Sequence, residues 1–358
     1  MIKQIAGLLL VSFSLLLFTG CPYNGYRYEM GHFPYDPVNF EAVNSEFDDY
    51  NSTAPFIESG RYLYFSSNRN SNGAEFDIVG DNLRIYWDKD EGKLTVDDRP
   101  FYMDYSYTDS LFARINSPFN EFGPVSMPYM NYSAYPSTYT DLVVFANDES
   151  GNLDLKFAWF EGQGENPAST DGDYFGPDAI SFLNTEHNDA YLTFYGPGYF
   201  YYDYYAWDPK LITELLFCSD RSGNFDIYKT EKPSGSSLID FLSQNTAAFV
   251  SPVSNLNSPA DDKCPYANGE LLVFASNRPG GYGGFDIYYC RREGETWSTP
   301  LNAGSRINTE YDEYRPILLS HYEFQNDMMI FSSNRPGGKG GYDLYYVGMT
   351  KSTYYYLE

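Results

Sequence analysis

Short apolar runs alternate with polar, glycine-rich turns along most of this chain. The clearest example covers residues 272–289, where Val273 and Phe274 end an apolar run. The next segment, residues 277–284, contains Pro279 and four glycines, which adopt positive φ angles without steric cost. Ile287 then begins a second run of β-branched and aromatic residues. This pattern predicts a β-hairpin.

The hairpin pattern occurs five times, in residues 64–79, 144–155, 216–228, 272–289 and 330–345. An aspartate ends the turn in every copy. These closing aspartates are Asp77, Asp154, Asp226, Asp286 and Asp343. Because a side-chain oxygen at such a position accepts backbone N–H groups of the turn, we interpret them as structural residues of a repeat.

A second motif, an Asn-Ser or Asn-Thr turn followed by an acidic pair, precedes each hairpin. Examples begin at Leu256 and Ile307. A strand after the acidic pair, the hairpin and a strand near Trp297 give four strands per repeat. Blades of four antiparallel strands bury their faces by stacking in a ring. The sequence therefore predicts an all-β propeller with five blades, or six as the alternative, closed by an amino-terminal strand within residues 37–42.

Composition agrees with many short strands and limits the choice of partner. Aromatic residues make up 19% of the chain, and the formal net charge is −26. Aromatic side chains favour strands. No nucleic-acid partner is expected, because phosphate backbones require a basic surface.

The amino terminus resembles a bacterial lipoprotein signal. Lys3 precedes an apolar run over residues 5–18, which is short for a membrane span, and small residues then lead to Cys21. The resemblance implies a signal peptide over residues 1–20, lipidation of Cys21, a tether over residues 21–36 and one propeller domain over residues 37–358. Pro22 follows the cysteine, which implies the outer membrane, with the protein facing the periplasm rather than the medium.

The repeats resemble the TolB-like, or WD-like, propeller repeat of bacterial envelope proteins. The matching residues are S-N-R-P-G-G-Y-G-G-F-D-I-Y from Ser276, S-N-R-P-G-G-K-G-G-Y-D-L-Y from Ser333, the N-T-E-x-D-E run from Asn308 and W-S-T-P from Trp297. The resemblance covers about residues 37–346 and implies a propeller that binds other components of the envelope.

Few residues that could act in catalysis or bind a metal are grouped in the sequence. The three histidines, His32, His187 and His321, lie in different repeats and are not grouped with a nucleophile. We therefore expect no enzyme and no catalytic residue. Two repeat turns, residues 148–154 and 220–226, have the alternating oxygen side chains of Ca²⁺ loops but lack the bidentate glutamate of the complete motif. No cofactor is expected, with Ca²⁺ as the alternative.

The three cysteines that follow Cys21 are Cys218, Cys264 and Cys290. An exported protein can form disulfides, and a bridge between Cys218 and Cys264 is one pairing that the sequence leaves open. The spacing supports neither a zinc site nor a redox motif.

Tyrosine is concentrated in an insert over residues 191–206. Aromatic packing between strands and a platform for sugar or protein contact are both compatible with this insert. Our main prediction is a non-catalytic scaffold lipoprotein that binds an envelope protein or a glycan. The alternative is a surface polysaccharide-binding or polysaccharide-active protein that uses Tyr199, Tyr201 and Tyr204 as ligand contacts.

Overall fold

The computed structural model describes residues 26–54, 61–99, 107–131, 136–163, 172–196, 209–321 and 323–351. The predicted signal peptide and Cys21 lie outside these residues. No helix in the described part of the chain is long and apolar enough to cross a membrane.

The described chain forms short strands, two short α-helices and two 3₁₀ turns. The first strands are β1 (Val38–Asn39), β2 (Asp49–Thr53), β3 (Arg61–Ser67), β4 (Asp77–Asp88) and β5 (Lys93–Asp97). They are followed by α1 (Tyr107–Ile115), β6 (Glu121–Asn131), β7 (Thr138–Asn147), β8 (Asp154–Gln163), β9 (Gly172–Ala179), β10 (Asp189–Tyr195), β11 (Glu214–Ser219) and β12 (Asp226–Glu231). The remaining elements are α2 (Leu238–Leu242), β13 (Val250–Pro252), β14 (Asp262–Asn268), β15 (Leu271–Ser276), β16 (Asp286–Glu293), β17 (Thr296–Trp297), β18 (Leu301–Asn302), β19 (Glu313–Leu319), β20 (Asp327–Ser333) and β21 (Asp343–Met349). The 3₁₀ turns are Arg69–Ser71 and Pro209–Leu211.

These strands form five antiparallel sheets, each of which is one blade. Blade 1 is β2–β5, blade 2 is β6–β9, blade 3 is β10–β13, blade 4 is β14–β18, and blade 5 is β19–β21 with β1. The innermost strands β2, β6, β10, β14 and β19 contact one another in a closed ring. The predicted five-bladed propeller is therefore confirmed, and the alternative of six blades is not.

The amino-terminal strand closes the ring, as predicted. β1 pairs antiparallel with β21, with Val38 opposite Tyr346 and Asn39 opposite Tyr345. Asn44 strengthens the closure: its Nδ2 donates to the Leu344 carbonyl at 3.0 Å, and its Oδ1 accepts from the Leu344 N–H at 2.8 Å. The asparagine of the Asn-Ser or Asn-Thr motif makes the same pair of bonds to the preceding blade at Asn116, Asn184, Asn257 and Asn308.

The hydrophobic core lies between neighbouring blades. Phe65 of blade 1, Ile287 of blade 4 and Phe331 of blade 5 belong to one fully buried cluster. On the opposite side, Phe157 of blade 2 and Phe217 of blade 3 share a second cluster. Because each blade is apolar on both faces, it buries them only against its two neighbours. The stacking thus fixes the innermost strands around a common axis.

Candidate functional site

Each innermost strand carries a bulge close to its amino-terminal end. The pairing register shifts there in all five blades. The third residue of each innermost strand has a left-handed backbone, with φ between 46° and 58°. These axial residues are Asn51, Gly123, Tyr191, Cys264 and Arg315. Four of them are not glycine, although the left-handed region is costly for other residues.

Two axial side chains reach the centre of the ring. Arg315 is fully buried, and its Nη2 donates to the carbonyls of Gly123 at 3.3 Å and Pro124 at 3.1 Å. Its guanidinium carbon lies 5.6 Å from the centre of the Tyr191 ring. The Tyr191 ring also lies where a side chain at Gly123 would have to go, so only glycine fits there. The side chains of Arg315 and Tyr191 therefore lie on the axis at this level.

Aromatic side chains surround the axis just above these residues. They occupy two positions of the repeat: the residue after the buried acid that begins an innermost strand, and the residue before the closing aspartate. We call this group the aromatic mouth; it consists of Tyr50, Phe76, Phe122, Phe225, Phe285, Tyr314 and Tyr342. All seven are half-buried, so the group combines packing with partial exposure at the hairpin end of the propeller.

Ring contacts link the aromatic side chains of the mouth into two groups, each of which spans neighbouring blades. The Tyr50 ring lies 4.9 Å from that of Phe76 and 5.7 Å from that of Tyr342. Across the mouth, the rings of Phe285 and Tyr314 are 5.2 Å apart. The Lys263 ammonium lies 3.9 Å from the centre of the Phe225 ring, which places one cation among the aromatic groups.

Carboxylates flank the mouth on either side of Tyr342. The backbone N–H of Tyr342 donates to Asp48 Oδ1 at 2.8 Å, and its hydroxyl donates to Asp312 Oδ2 at 3.0 Å. Burial raises the pKa of the Tyr342 hydroxyl, and the Asp312 charge raises it further. Both carboxylates also join blades, since Asp312 accepts from the Phe285 N–H at 2.8 Å.

A shallow, largely open cleft lies at the same end of the propeller in blade 5. It has a volume of about 390 Å³ and is lined by Thr309, Glu310, Tyr311, Arg335 and Pro336. Tyr311 is 37% exposed, and Glu310 is also exposed. The cleft thus offers an aromatic ring, a carboxylate and a hydroxyl to a polar ligand.

The acid that begins each innermost strand has a structural role in four blades. In blades 1, 3, 4 and 5 it is fully buried and pairs with an arginine of the hairpin turn. The pairs are Asp49–Arg69, Asp189–Arg221, Asp262–Arg278 and Glu313–Arg335, at 2.5–2.9 Å. Blade 2 has Glu121 and Glu149 at the two positions, so the pair is absent. Burial raises the pKa of Glu121 to about 7.

The structure places the closing aspartates in the hairpin turns. Asp286 accepts from the N–H groups of Tyr282 and Gly283, and Asp343 accepts from those of Lys339 and Gly340. In the first three blades the donors are side chains. Asn70 donates to Asp77, Asn152 donates to Asp154, and Ser222 donates to Asp226.

The other predicted site residues either lie outside the described part of the chain or are buried. Tyr199, Tyr201 and Tyr204 lie outside the described residues, as does Cys21. Cys218, Cys264 and Cys290 are buried and free, and the first two belong to one cluster beside the axis. Within the described part of the chain, no group of three or more His, Cys, Asp or Glu side chains is placed to hold a metal ion. The Ca²⁺ alternative stays a prediction.

The sequence motifs include the residues of the mouth but do not indicate that these residues converge. Phe285 and Tyr314 stand beside Asp286 and Glu313 in the repeat. The signal was the recurrence of an aromatic residue beside these acids in most repeats. Local spacing assigns such residues to single turns, whereas ring closure brings them together.

No protein-family model and no curated protein matches the chain. Solved structures do align with it. A GH62 hydrolase in complex with xylotriose is 10% identical with a TM-score of 0.48, covering 91% of this chain and 99% of the other. An α-L-arabinofuranosidase from Podospora anserina in complex with cellotriose is 10% identical with a TM-score of 0.46 and covers 91% and 99%. A glycosyl hydrolase from Bacteroides ovatus is 9% identical with a TM-score of 0.44 and covers 90% and 96%.

These comparisons correct the predicted family. The assignment to the TolB-like repeat family is wrong: no family model matches, and the aligned structures are glycoside hydrolases. The physical reason is that the S-N-R turn and the closing aspartate build the blade, as Arg278 and Asp286 show by their bonds. Such residues are therefore evidence for the blade architecture and not for one particular family. At identities of 8–12%, the likeness to the hydrolases concerns the fold alone.

The predicted non-catalytic scaffold, and with it the prediction that the chain is not an enzyme, is also wrong, because the aligned structures are glycoside hydrolases. Residues that are close in the sequence do not form a catalytic group, and this is the only basis for the prediction. In a closed ring, side chains from distant repeats meet at one end, as Asp48 and Tyr342 do. Local spacing therefore could not exclude a catalytic site.

Proposed function

We propose that this protein is a polysaccharide-active protein that binds a glycan at the aromatic mouth and the adjoining cleft. The observation that carries the proposal is the set of seven half-buried aromatic rings at one end of the axis. Aromatic rings offer broad apolar faces at low cost in side-chain entropy, and tyrosine adds a polar group. The cleft beside Tyr311 extends this surface with polar groups.

Asp48 and Asp312 are the carboxylates that this arrangement offers for acid–base work. Glycosidic bond cleavage commonly uses two carboxyl groups on opposite sides of the bond. Both residues are half-buried beside Tyr342, and both are held by hydrogen bonds. We assign them this role as part of the proposal, in addition to their part in joining blades.

The test combines binding with turnover. Purified protein is screened against a panel of neutral and acidic polysaccharides, and release of reducing ends is the catalytic readout. We expect Tyr311→Ala and Tyr342→Ala to weaken glycan binding at least about tenfold, since loss of one stacked ring removes about 1.4 kcal/mol or more. Phe249→Ala is the matched control, because Phe249 is 86% exposed and adjoins the β13 end opposite the hairpin turns.

The carboxylate variants separate catalysis from binding. Asp312→Asn keeps the shape of the side chain and is expected to abolish reducing-end release while the glycan still binds. The midpoint of thermal unfolding is measured in parallel to detect loss of the blade joint. Equal binding by the Tyr311, Tyr342 and Phe249 variants, or absence of binding and turnover across the whole panel, would overturn the proposal.

We also propose the membrane anchor and location that the amino terminus indicates. Lys3, the apolar run over residues 5–18 and Cys21 support a lipidated protein of the outer membrane that faces the periplasm. Labelling with a palmitate analogue, followed by membrane fractionation, tests the anchor. Cys21→Ser is expected to lose the label and move to the soluble fraction. Retention of the label in that variant would contradict lipidation at Cys21.

A further inference from the structure

Arg315 extends across the axis of the propeller. It begins on blade 5, and its Nη2 reaches the carbonyls of Gly123 and Pro124 on blade 2. Blades 5 and 2 are not neighbours in the ring, so the guanidinium spans the centre. The residue is fully buried and has a φ of 46°, which is unfavourable for a side chain of this size. The fold therefore holds this cation on the axis at a conformational cost.

The charge of Arg315 is not balanced by the described residues. A guanidinium stays protonated and has five N–H donors. Its Nε and Nη1 have no hydrogen-bond partner, and no carboxylate of the described chain lies within 4.0 Å of its nitrogens. The four repeat arginines differ, because each pairs with a buried carboxylate. Burial of a charge without a partner is strongly unfavourable.

The ionisable groups near enough to interact electrostatically with Arg315 are neutral. They are the Tyr191 ring, the thiols of Cys264 and Cys218, and the Tyr266 hydroxyl. Burial raises the pKa of Cys264 to about 11 and raises those of Cys218 and Tyr266, so none of these groups is negative near neutral pH. The Tyr191 ring supplies a cation–π contact only.

Asn51 supplies a second polar group at the same level. It occupies the equivalent axial position on blade 1, next to blade 5, and is fully buried. Neither its Oδ1 nor its Nδ2 has a hydrogen-bond partner in the described chain. Buried side-chain amides are normally satisfied. Two adjacent axial positions thus present unpaired donors, one of them charged.

We propose that the axis of the propeller binds a small monovalent anion of the chloride type between Arg315 and Asn51. The anion neutralises the buried guanidinium and accepts hydrogen bonds from Arg315 Nε and Nη1 and from Asn51 Nδ2. Since the arginine is fully buried, the site takes a small ion and not a chain of sugars. This site is separate from the glycan surface and does not depend on the proposed function.

Thermal unfolding of the full chain tests the site with chloride as the probe. Chloride is exchanged for gluconate at constant ionic strength, because gluconate is too large for a buried site. We expect the midpoint to rise with the logarithm of the chloride concentration, by about 2–4 °C between low and saturating chloride. Bromide is then introduced into crystals of the protein, and an anomalous peak is expected within hydrogen-bonding distance of Arg315.

Asn51→Asp provides the decisive variant. Aspartate tolerates the left-handed backbone and puts a carboxylate at the axial position of the blade next to that of Arg315. We expect this variant to melt at a higher temperature than the wild type in gluconate and to lose the chloride dependence. Arg315→Met is expected to lose it as well, and the exposed Arg114→Met is the matched control that keeps it.

Two results would overturn the proposal. One is an equal midpoint in chloride and gluconate for the wild type, together with no anomalous peak at Arg315. The other is a chloride dependence that persists unchanged in Asn51→Asp, which would assign it to the protein surface. If Arg315→Met does not fold, the Asn51 variant and the bromide peak still decide the question.

Discussion

Glu121 Oε1 accepts a hydrogen bond of 2.7 Å from Asn147 Nδ2. In the other four blades, the acid equivalent to Glu121 pairs with an arginine. The arginine position of blade 2 is occupied by Glu149, which instead pairs with Lys156 at 2.6 Å. Asp77 adds a negative charge near Glu121, and Ser117 donates to its Oε1 at 2.6 Å. Burial dominates these effects and raises the pKa of Glu121 to about 7.

This pKa predicts a loss of stability as the pH rises. The folded protein holds the Glu121 proton more tightly than the unfolded chain, in which the pKa is 4.5. The stabilisation is therefore complete below pH 4.5 and is lost as the pH rises through about 7. We expect Glu121→Gln to be more stable than the wild type above that pH by about 1–3 kcal/mol. Urea unfolding at several pH values measures the difference.

Restoring the missing arginine is the complementary variant. Glu149→Arg should pair with Glu121, lower its pKa and flatten the dependence of the unfolding free energy on pH. Lys156→Met removes the surface partner of Glu149 without changing Glu121 and serves as the control. A pH profile that is the same in the wild type and in Glu121→Gln would show that another group is responsible.

The repeat ion pairs predict a second effect on stability. Arg278 Nη2 lies 2.5 Å from Asp262 Oδ1, and Asp262 is fully buried. Arg278→Met leaves this carboxylate unpaired and should reduce the unfolding free energy by about 3–5 kcal/mol. The double variant with Asp262→Asn should recover part of the loss, because no charge then remains buried. Lys156→Met, which breaks an exposed pair, should cost about 0–1 kcal/mol. Equal losses for Arg278→Met and Lys156→Met would contradict this account.

The buried thiols predict a third result. Burial raises the pKa of Cys264 to about 11 and that of Cys290 to about 12, so neither forms the reactive thiolate near neutral pH. We expect no alkylation of Cys218, Cys264 or Cys290 in the native protein and complete alkylation in denaturant. Mass spectrometry of the peptides measures both states. Resistance of Cys218 and Cys264 in denaturant until a reductant is added would instead reveal a disulfide.

The sequence predicted the blades because each is encoded locally. The hairpin that contains Asp286 follows from a pattern within a few tens of residues, and the closing strand at Val38 follows from the similarity of residues 37–42 to residues 300–304 of the last repeat. The mouth could not be predicted in the same way. Tyr50 and Tyr342 meet only after the ring has closed, and they are almost the whole chain apart. The candidate site is therefore a product of closure, although every residue in it belongs to a visible repeat.

The position of the axial arginine, Arg315, likewise could not be predicted from the local sequence pattern. Arg315 follows Tyr314 in an ordinary strand pattern, which would direct it to one face of a sheet. The bulge in β19 gives it a left-handed backbone, and its contacts on blade 2 place its side chain across the axis. A bulge has no strong signature in a single repeat. Comparison of the five equivalent positions is what identifies Asn51 and Arg315 as exceptions.

The way in which the ring is closed predicts that it opens locally at the junction of β1 and β21. Asn44 makes two hydrogen bonds to the backbone of Leu344, and β1 adds only two residues to the edge of β21. Asn44→Ala leaves the Leu344 N–H unpaired, while the Leu344 carbonyl keeps the Phe40 N–H as a donor, so the cost should be about 1–3 kcal/mol. Because the chain does not connect β1 directly to β21, we expect faster hydrogen exchange at Leu344 and Tyr346 than in the wild type.

Asn308→Ala is the matched control for this opening. Asn308 makes the same two bonds to Ile287, but there the chain is continuous between blades 4 and 5. Its loss should cost a similar free energy and accelerate exchange at Ile287, while the amides of β21 stay protected. If the two variants accelerated exchange in β21 equally, the junction of β1 and β21 would not be the site at which the ring opens. Protection of Leu344 in Asn44→Ala at the level of the wild type would likewise assign the closure to the strand pairing and not to the asparagine.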